Sequence, residues 1–204
     1  MMNLILIPIL LAFITAVVGP VAVEWVKLKF IKPKDTLKEA INHNELIDVQ
    51  LESIVDELNC DRIWIAQFHN GGHFYPTGKS IQKFSIFYER LTPNATSLIE
   101  YFQNIPVSLF PKLLSKLHSD GELLIEDYDE EKQNYGLFTL AKDPNTKSFY
   151  IFTIKDLNDQ FVAVLGMSFI NEQHILNNTD KTFIQNKLGV LGTVLNDYLH
   201  SSKK

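Results

Sequence analysis

Two runs of β-branched and aromatic residues, separated by a short polar segment, form the most apolar part of this chain. They cover residues 148–170, and the polar positions 156–159 between them complete the pattern of a β-hairpin. The second run, 161–170, is apolar at nearly every position, so we predict a strand in the middle of a sheet with helices covering both faces. Gly166 interrupts this run and predicts the close approach of another backbone or of a ligand.

Shorter hydrophobic patterns predict the other elements of the same domain. They comprise strands at 61–68, 82–89 and 122–126, helical segments at 97–117 broken by Pro106 and Pro111, one or two helical turns at 135–142, and an amphipathic helix beginning at Thr179 or Asp180. With the helix that precedes the first strand, the predicted order is helix, strand, strand, broken helices, strand, short helix, strand, strand, helix.

A longer helix is predicted before the first strand, from an N-cap at Asp35 to Leu58. Apolar residues recur at heptad spacing along its seam, with one polar position, at 37, 40, 44, 47, 51, 54 and 58. The polar residue, Asn44, is of the kind that sets register in two-stranded coiled coils. The seam predicts a homodimer through residues 37–58. The alternative interpretation is an amphipathic helix that packs on its own domain.

The N-terminal segment 3–23 contains no charged side chain. Its length matches the roughly 20 residues that cross a hydrocarbon core, so we predict a transmembrane anchor over residues 1–26. A cleaved signal peptide is the alternative, but no lysine or arginine precedes the apolar run. Four lysines follow within residues 27–34, and positive charge on this side only predicts a single-pass protein with its N-terminus outside and its C-terminal domain in the cytoplasm.

The composition narrows the class of partner. The chain has 204 residues with 46% hydrophobic content, which suits one domain and an additional segment. Its net charge is −5, and because residues 1–34 carry +3, the remainder carries −8. An acidic domain lacks the basic face that phosphate binding requires, so we expect no nucleic-acid partner. The single cysteine, Cys60, excludes an internal disulfide and suits a reducing compartment.

The segment 69–80, H-N-G-G-H-F-Y-P-T-G-K-S, has the most unusual local sequence, and its two adjacent glycines, Gly71 and Gly72, predict an open turn after the first strand. In the first interpretation it closes a ligand pocket, with candidate contacts at His69, Asn70, His73, Tyr75, Lys79 and Tyr88. In the second, His69 and His73 hold a metal with Glu89 or Asp61, as in a metal-dependent hydrolase; the glycines between the histidines disfavour the helix that this spacing suits. In the third, the segment is a hairpin connection whose histidines are hydrogen-bonded or solvated.

The order of elements, together with three local stretches, resembles a GAF domain, a PAS-like sensory fold. The stretches are D-G-E-L-L-I-E-D, S-F-Y-I-F-T-I and F-V-A-V-L-G-M-S-F, and the resemblance is strongest over residues 108–199. It implies an α+β fold with an antiparallel sheet flanked by helices, in a GAF-like domain over 59–200. A linker at 27–58 would precede this domain, and a tail at 201–204 would follow it. It also implies a small-molecule pocket between the sheet and the broken-helix region, and dimerisation through the terminal helices.

Several subgroups of the GAF family carry signatures that this chain lacks. There is no N-K-x-F-D-E motif of the cyclic-nucleotide-binding members, and no cysteine in the pocket-lining half for covalent bilin attachment. Cys60 alone cannot supply both thiols of a sulfoxide reductase. We therefore expect a membrane-anchored, cytoplasmic GAF-like sensory domain that binds an unidentified small molecule and has no catalytic output module. The alternatives are the metal-dependent hydrolase and a degenerate GAF assembly module without a ligand.

Overall fold

The computed structural model describes residues 11–30, 36–74, 76–127 and 146–201. The chain divides into two compact units, Met1–Ala40 and Ile41–Lys204. Four predicted features lie outside the described residues: the N-cap Asp35, the candidate Tyr75, the helical turns at 135–142 and residues 1–10 of the anchor.

The first unit contains a π-helical segment, Ile14–Val18, followed by helix α1, Gly19–Phe30. The amide of Gly19 donates to the carbonyl of Ile14, which is the wider turn of a π-helix. This turn lies directly before Pro20, which has no amide hydrogen with which to continue an α-helical ladder. None of the helices within the described ranges is long and apolar enough to span a membrane, so the anchor predicted for residues 1–26 stays a prediction.

The second unit is built on a six-stranded antiparallel sheet. Its strands are β1 (Arg62–His73), β2 (Ser80–Leu91), β3 (Ile105–Pro106), β4 (Glu122–Ile125), β5 (Ser148–Lys155) and β6 (Phe161–Phe169), in the spatial order β3-β2-β1-β6-β5-β4. The most apolar strand, β6, lies between β1 and β5, which confirms its predicted central position. Both β1 and β2 are longer than predicted, and the short β3 was not predicted.

Helices α2 (Thr36–Leu58) and α4 (Asn178–Ser201) belong to one layer and cover one face of the sheet. They run antiparallel, because the His43 ring stacks on Tyr198 at 4.2 Å while Lys187 Nζ donates to Gln50 Oε1 at 3.1 Å. The buried side chains that meet between this layer and the sheet include Ile47, Leu51, Ile54, Leu58, Ile63, Ile65, Leu165, Ile184, Leu191 and Leu195.

Four positions of the predicted dimer seam are therefore buried inside their own domain. The exposed fractions of Ile47, Leu51, Ile54 and Leu58 are 0–3%. This arrangement is the alternative interpretation, in which an amphipathic helix packs on its own sheet. A coiled coil through these four residues is incompatible with their burial, and dimerisation through another face of α2 stays a prediction.

The second face of the sheet is covered by helix α3 (Pro111–Asp120) and the irregular segment before it, which includes a 3₁₀ turn at Val107–Leu109. Pro111 begins α3 at a position where a missing amide hydrogen has no cost, and Gly121 ends it in the left-handed conformation with φ 80°. The buried side chains on this face include Trp64, Ala66, Phe84, Ile86, Phe102, Phe110, Leu113, Leu117, Leu123, Ile151 and Val164.

The start of α4 differs from the prediction. The N-cap is Asn177, whose Oδ1 accepts hydrogen bonds from the amides of Thr179 at 2.7 Å and Asp180 at 3.0 Å. Asp180 Oδ2 accepts from the Asn177 amide in return at 3.0 Å. The helix therefore begins at Asn178, one to two residues before the predicted start at Thr179 or Asp180, and Asp180 is the N3 residue of a capping box.

Candidate functional site

Half of the segment 69–80 belongs to strands. β1 continues through His73 and β2 begins at Ser80, which leaves a connection of only 74–79. The two glycines that predicted an open turn are accommodated inside the strand instead. A side chain at Gly71 would overlap the methylene groups of Lys83, which cross it at 2.2–2.6 Å from the Cβ position, and Gly72 has φ +108°. Both positions favour glycine for reasons internal to the hairpin.

His69 makes a defined hydrogen bond within the sheet. Its Nε2 lies 2.9 Å from Ser85 Oγ on β2, and the same hydroxyl oxygen accepts the amide of Asn104 at 2.8 Å. The ring of Phe87 contacts the imidazole edge to face at 6.2 Å. Ser85 is 2% exposed, so it is not accessible as a nucleophile. The pair connects β1, β2 and the segment before β3.

The other candidates lie along the outer part of the β1–β2 hairpin, residues 69–80, which we call the hairpin arm. Asn70 Oδ1 accepts from Ser80 Oγ and from Gln82 Nε2, each at 3.0 Å, and thereby closes the base of the connection. His73 and Lys79 are exposed at its far end. The described part of this segment corresponds to the third interpretation, a hairpin connection with its histidines hydrogen-bonded or solvated.

Tyr88 faces the α2 layer. Its hydroxyl donates to Asn44 Oδ1 at 2.9 Å, and its ring packs against the helix-side core. Burial, together with the nearby Tyr198, raises the pKa of the Tyr88 hydroxyl from 10.0 to about 12. Tyr88 therefore joins α2 to the sheet, and the five candidates that the structure describes do not converge on one cavity. Their ligand-binding role stays a prediction.

Glu89, the carboxylate of the predicted metal alternative, already has three partners. It accepts from Ser97 Oγ at 2.5 Å and from the amides of Leu98 at 2.8 Å and Ile99 at 3.4 Å. These bonds cap the turn that leads toward β3. The described residues contain no group of three or more histidine, cysteine, aspartate or glutamate side chains placed to hold a metal ion. The geometry does not favour the hydrolase interpretation.

The region where the family resemblance implies a pocket is the sheet face under α3. There Gly166 pairs with Trp64 across β6 and β1, and a Cβ at Gly166 would lie 2.1 Å from the indole Cζ2. The close approach predicted from Gly166 is thus made by an indole ring. Trp64 is 3% exposed, and its Nε1 has no hydrogen-bond partner within the described ranges. Nothing in the sequence around Trp64 predicted that its indole would fill the space beside Gly166. The only sequence signal for this contact was Gly166 itself.

Two grooves of about 450 Å³ lie elsewhere on the second unit, and Trp64 lines neither of them. One is bordered by Glu57, Asn59, Asp61, Glu172 and His174, and the other by Asp120, Glu122, Lys155, Gln185 and Gly189. Asp61 is occupied in structural bonds, because its two carboxylate oxygens accept from the Thr92 hydroxyl and from the Ile170 amide. We assign neither groove a function.

Comparison with solved structures identifies the class of fold. The chain is similar to a GAF domain of Synechocystis solved in its photoproduct state, with a TM-score of 0.59 and 12% identity over 79% of this chain and 98% of that one. It is also similar to a GAF domain/HD domain protein from Geobacter sulfurreducens, with a TM-score of 0.55 and 12% identity over 77% and 94% of the two chains. No family model and no curated protein matches the sequence.

A third similar structure is the phycocyanobilin-bound GAF domain of a cyanobacterial phytochrome, with a TM-score of 0.54 and 15% identity over 84% of this chain and 98% of that one. Together with the six-stranded antiparallel sheet and its two helical layers, these likenesses show that the chain has the fold of GAF domains. The fold predicted from the element order is confirmed.

Proposed function

We propose that the chain is a sensory domain of the GAF type, in which a small molecule bound under α3 changes the packing of the α2/α4 layer. One observation carries the proposal: the same strands line both faces. On β1, Trp64 and Ala66 lie in the core under α3, while Ile63 and Ile65 lie in the core under α2 and α4. A shift of this strand caused by a ligand on one face must therefore change packing on the other, because close-packed cores do not deform continuously.

The comparisons support a small molecule as the stimulus. The cyanobacterial phytochrome domain with this fold contains phycocyanobilin, and that ligand is a property of that protein. In this chain Cys60 is fully buried in the helix-side core, so we propose a ligand held without a covalent bond. No catalytic step is part of the proposal.

The experiment is thermal unfolding of the full chain in detergent against a panel of metabolites. A ligand that binds only the folded state at 100 times its Kd stabilises it by about 2.7 kcal/mol, which is a readily measured rise in Tm. If no compound raises the Tm, the sensory proposal is wrong. A fall in Tm with chelator, reversed by zinc or manganese, would support the hydrolase alternative instead.

The contacts predicted for the hairpin arm are a separate part of the proposal. If His73 and Lys79 bind the ligand, the double variant His73→Ala/Lys79→Ala abolishes the ligand-induced rise in Tm. Both side chains are exposed, so the unliganded variant should unfold at the same temperature as the parent chain. If the ligand raises the Tm of the double variant as much as that of the parent chain, the hairpin arm is not part of the binding site.

We also propose that residues 3–23 anchor the chain in a membrane with the C-terminal domain in the cytoplasm. The support is the uncharged N-terminal sequence, the one-sided lysines and the exposed apolar side chains of the described part, such as Phe13 and Val21. A cysteine introduced near Lys204 should resist a membrane-impermeant thiol reagent in intact cells. The native Cys60 is 0% exposed and does not interfere with this assay. Rapid labelling of this cysteine without permeabilisation would show that the C-terminal domain lies outside the cell.

For the homodimer we propose the face of the α2/α4 layer that points away from the sheet. Leu46 and Val49 on α2 are 55% and 56% exposed, and Val190 on α4 is 44% exposed. Leu46 and Val49 are three residues apart and thus share one side of the helix. Sedimentation should show a dimer that Leu46→Glu/Val49→Glu converts to a monomer without unfolding it. A monomeric parent chain would contradict this part.

One observation favours a second function, an assembly module without a ligand. Within the described residues, the space between the sheet and α3 is filled by aromatic side chains, with Phe84 contacting both Phe102 and Phe110 at 6.3 and 5.5 Å between ring centres. This function predicts a dimer whose Tm no metabolite changes, which distinguishes it from the sensory proposal.

A further inference from the structure

Trp64 has one polar side-chain group, the indole Nε1–H, which is buried and has no hydrogen-bond partner within the described part of the chain. The side chain is 3% exposed, and Nε1 contacts no hydrogen-bond acceptor among the residues that the structure describes. A buried donor without a partner has lost its hydrogen bonds to water without replacement, so such groups are rare in native proteins and require an explanation. Phenylalanine fills a similar apolar space without this cost, and the sheet face already contains several.

The surroundings of the indole explain its orientation but not its donor. The ring lies across Gly166, where any larger residue would collide with it at 2.1 Å. On the same face, the next strand places Ile151 opposite Gly166, and Val164 follows on β6. These two side chains are apolar, and the carboxylate of Glu89, which pairs with Trp64 from β2, already accepts from the Ser97 hydroxyl and from two backbone amides. An acceptor for Nε1–H must therefore be supplied from outside the described core.

We infer that Trp64 is a ligand-recognition residue whose indole N–H donates to an acceptor atom of the bound molecule. The inference rests on the proposed ligand-binding function and specifies its chemistry. The molecule is small, flat and mostly apolar, because the neighbouring side chains are apolar, and it carries a carbonyl oxygen or ring nitrogen to accept one hydrogen bond. Its acceptor removes the cost of the unpaired donor, so the bond contributes to specificity as well as to affinity.

Coumarin and naphthalene are a matched pair of probes. Both are flat bicyclic molecules of similar size, and only coumarin carries a carbonyl acceptor. The full chain in detergent has two tryptophans, Trp25 and Trp64, whose indole N–H resonances are resolved by ¹⁵N labelling and assigned with Trp25→Phe. We expect saturating coumarin to move the Trp64 indole resonance downfield, and naphthalene to leave its proton without this hydrogen-bond shift.

Calorimetry then gives the affinities. We expect coumarin to bind about tenfold more tightly than naphthalene, the value of one hydrogen bond, and this difference to disappear in Trp64→Phe. If Trp64→Phe does not fold, the indole resonance of the parent chain still decides. An unmoved resonance at saturating coumarin, equal affinities of the two probes, or undiminished preference for coumarin in a folded Trp64→Phe each overturn the inference. A Tm rise with another metabolite and no change at Trp64 would overturn it while leaving the sensory proposal intact.

Discussion

Gly192 on α4 offers a direct test of how the helix layer is packed on the sheet. A Cβ at this position would lie 2.0 Å from the backbone oxygen of Lys155 and 3.2 Å from its carbonyl carbon. The obstacle is backbone of strand β5, so no side-chain rotation relieves it. Gly192→Ala must instead push α4 away from the sheet by about 1 Å, which loosens the fully buried Leu191 and Leu195.

The size of the effect follows from two opposing terms. Overpacking a close contact typically costs 1–3 kcal/mol, and a contact with rigid backbone belongs at the upper end of that range. Replacing glycine by alanine in a helix returns about 1 kcal/mol of backbone entropy. We therefore expect Gly192→Ala to lower the free energy of unfolding by about 2 kcal/mol and the Tm by about 4–8 °C.

Gly189 provides the matched control, since it lies in the same helix three residues earlier and a Cβ there would meet nothing within 4 Å. Gly189→Ala should keep only the favourable term and raise the free energy of unfolding by up to about 1 kcal/mol. Urea unfolding followed by circular dichroism measures both variants, with the m-value checking that each transition stays two-state. A Gly192→Ala variant as stable as Gly189→Ala would refute the close packing of α4 on β5.

Three further outcomes are expected. Because burial raises the pKa of the Cys60 thiol to about 12, the native protein should resist a thiol-modifying reagent that reacts rapidly after unfolding in urea; rapid native labelling would contradict the burial. The raised pKa of Tyr88 favours the neutral hydroxyl in the folded state, so stability present below pH 10 should decline as the pH rises toward 12, and more gently in Tyr88→Phe; equal declines would contradict the assignment. Leu51→Asp should unfold the domain, whereas Leu46→Asp should not, because the Leu51 and Leu46 side chains are 1% and 55% exposed. If the two variants were equally stable, the described packing of α2 on the sheet would be wrong.

Local sequence patterns determined the elements near the hairpin most reliably. The run 161–170 is apolar on both sides, and a strand with two apolar faces has few positions other than the centre of a sheet, where β6 lies. The turn before it also follows from local chemistry, since Asp156 Oδ1 accepts the amides of Asn158 and Gln160. Such features need no distant partner to form.

The apolar stripe on α2 shows what the sequence left undecided. The spacing of its apolar residues predicts that one side of the helix is buried. A second copy of the helix and the chain's own sheet could each cover that side. The tertiary structure decides for the sheet, because Ile63, Ile65 and Leu165 present a matching apolar face. The packing partner is thus a property of the whole fold and not of the helix.

The hairpin arm and Trp64 were decided by contacts between distant residues. Two glycines predicted a turn after Phe68, but Lys83 crosses Gly71 and the strand continues to His73. In the same way, Gly166 indicated a close approach, and only the pairing of β6 with β1 identified the approaching group as the Trp64 indole. A glycine in the sequence indicates only that a position has no side chain and that another group can come close to the backbone there. The register of the neighbouring strand determines what fills it.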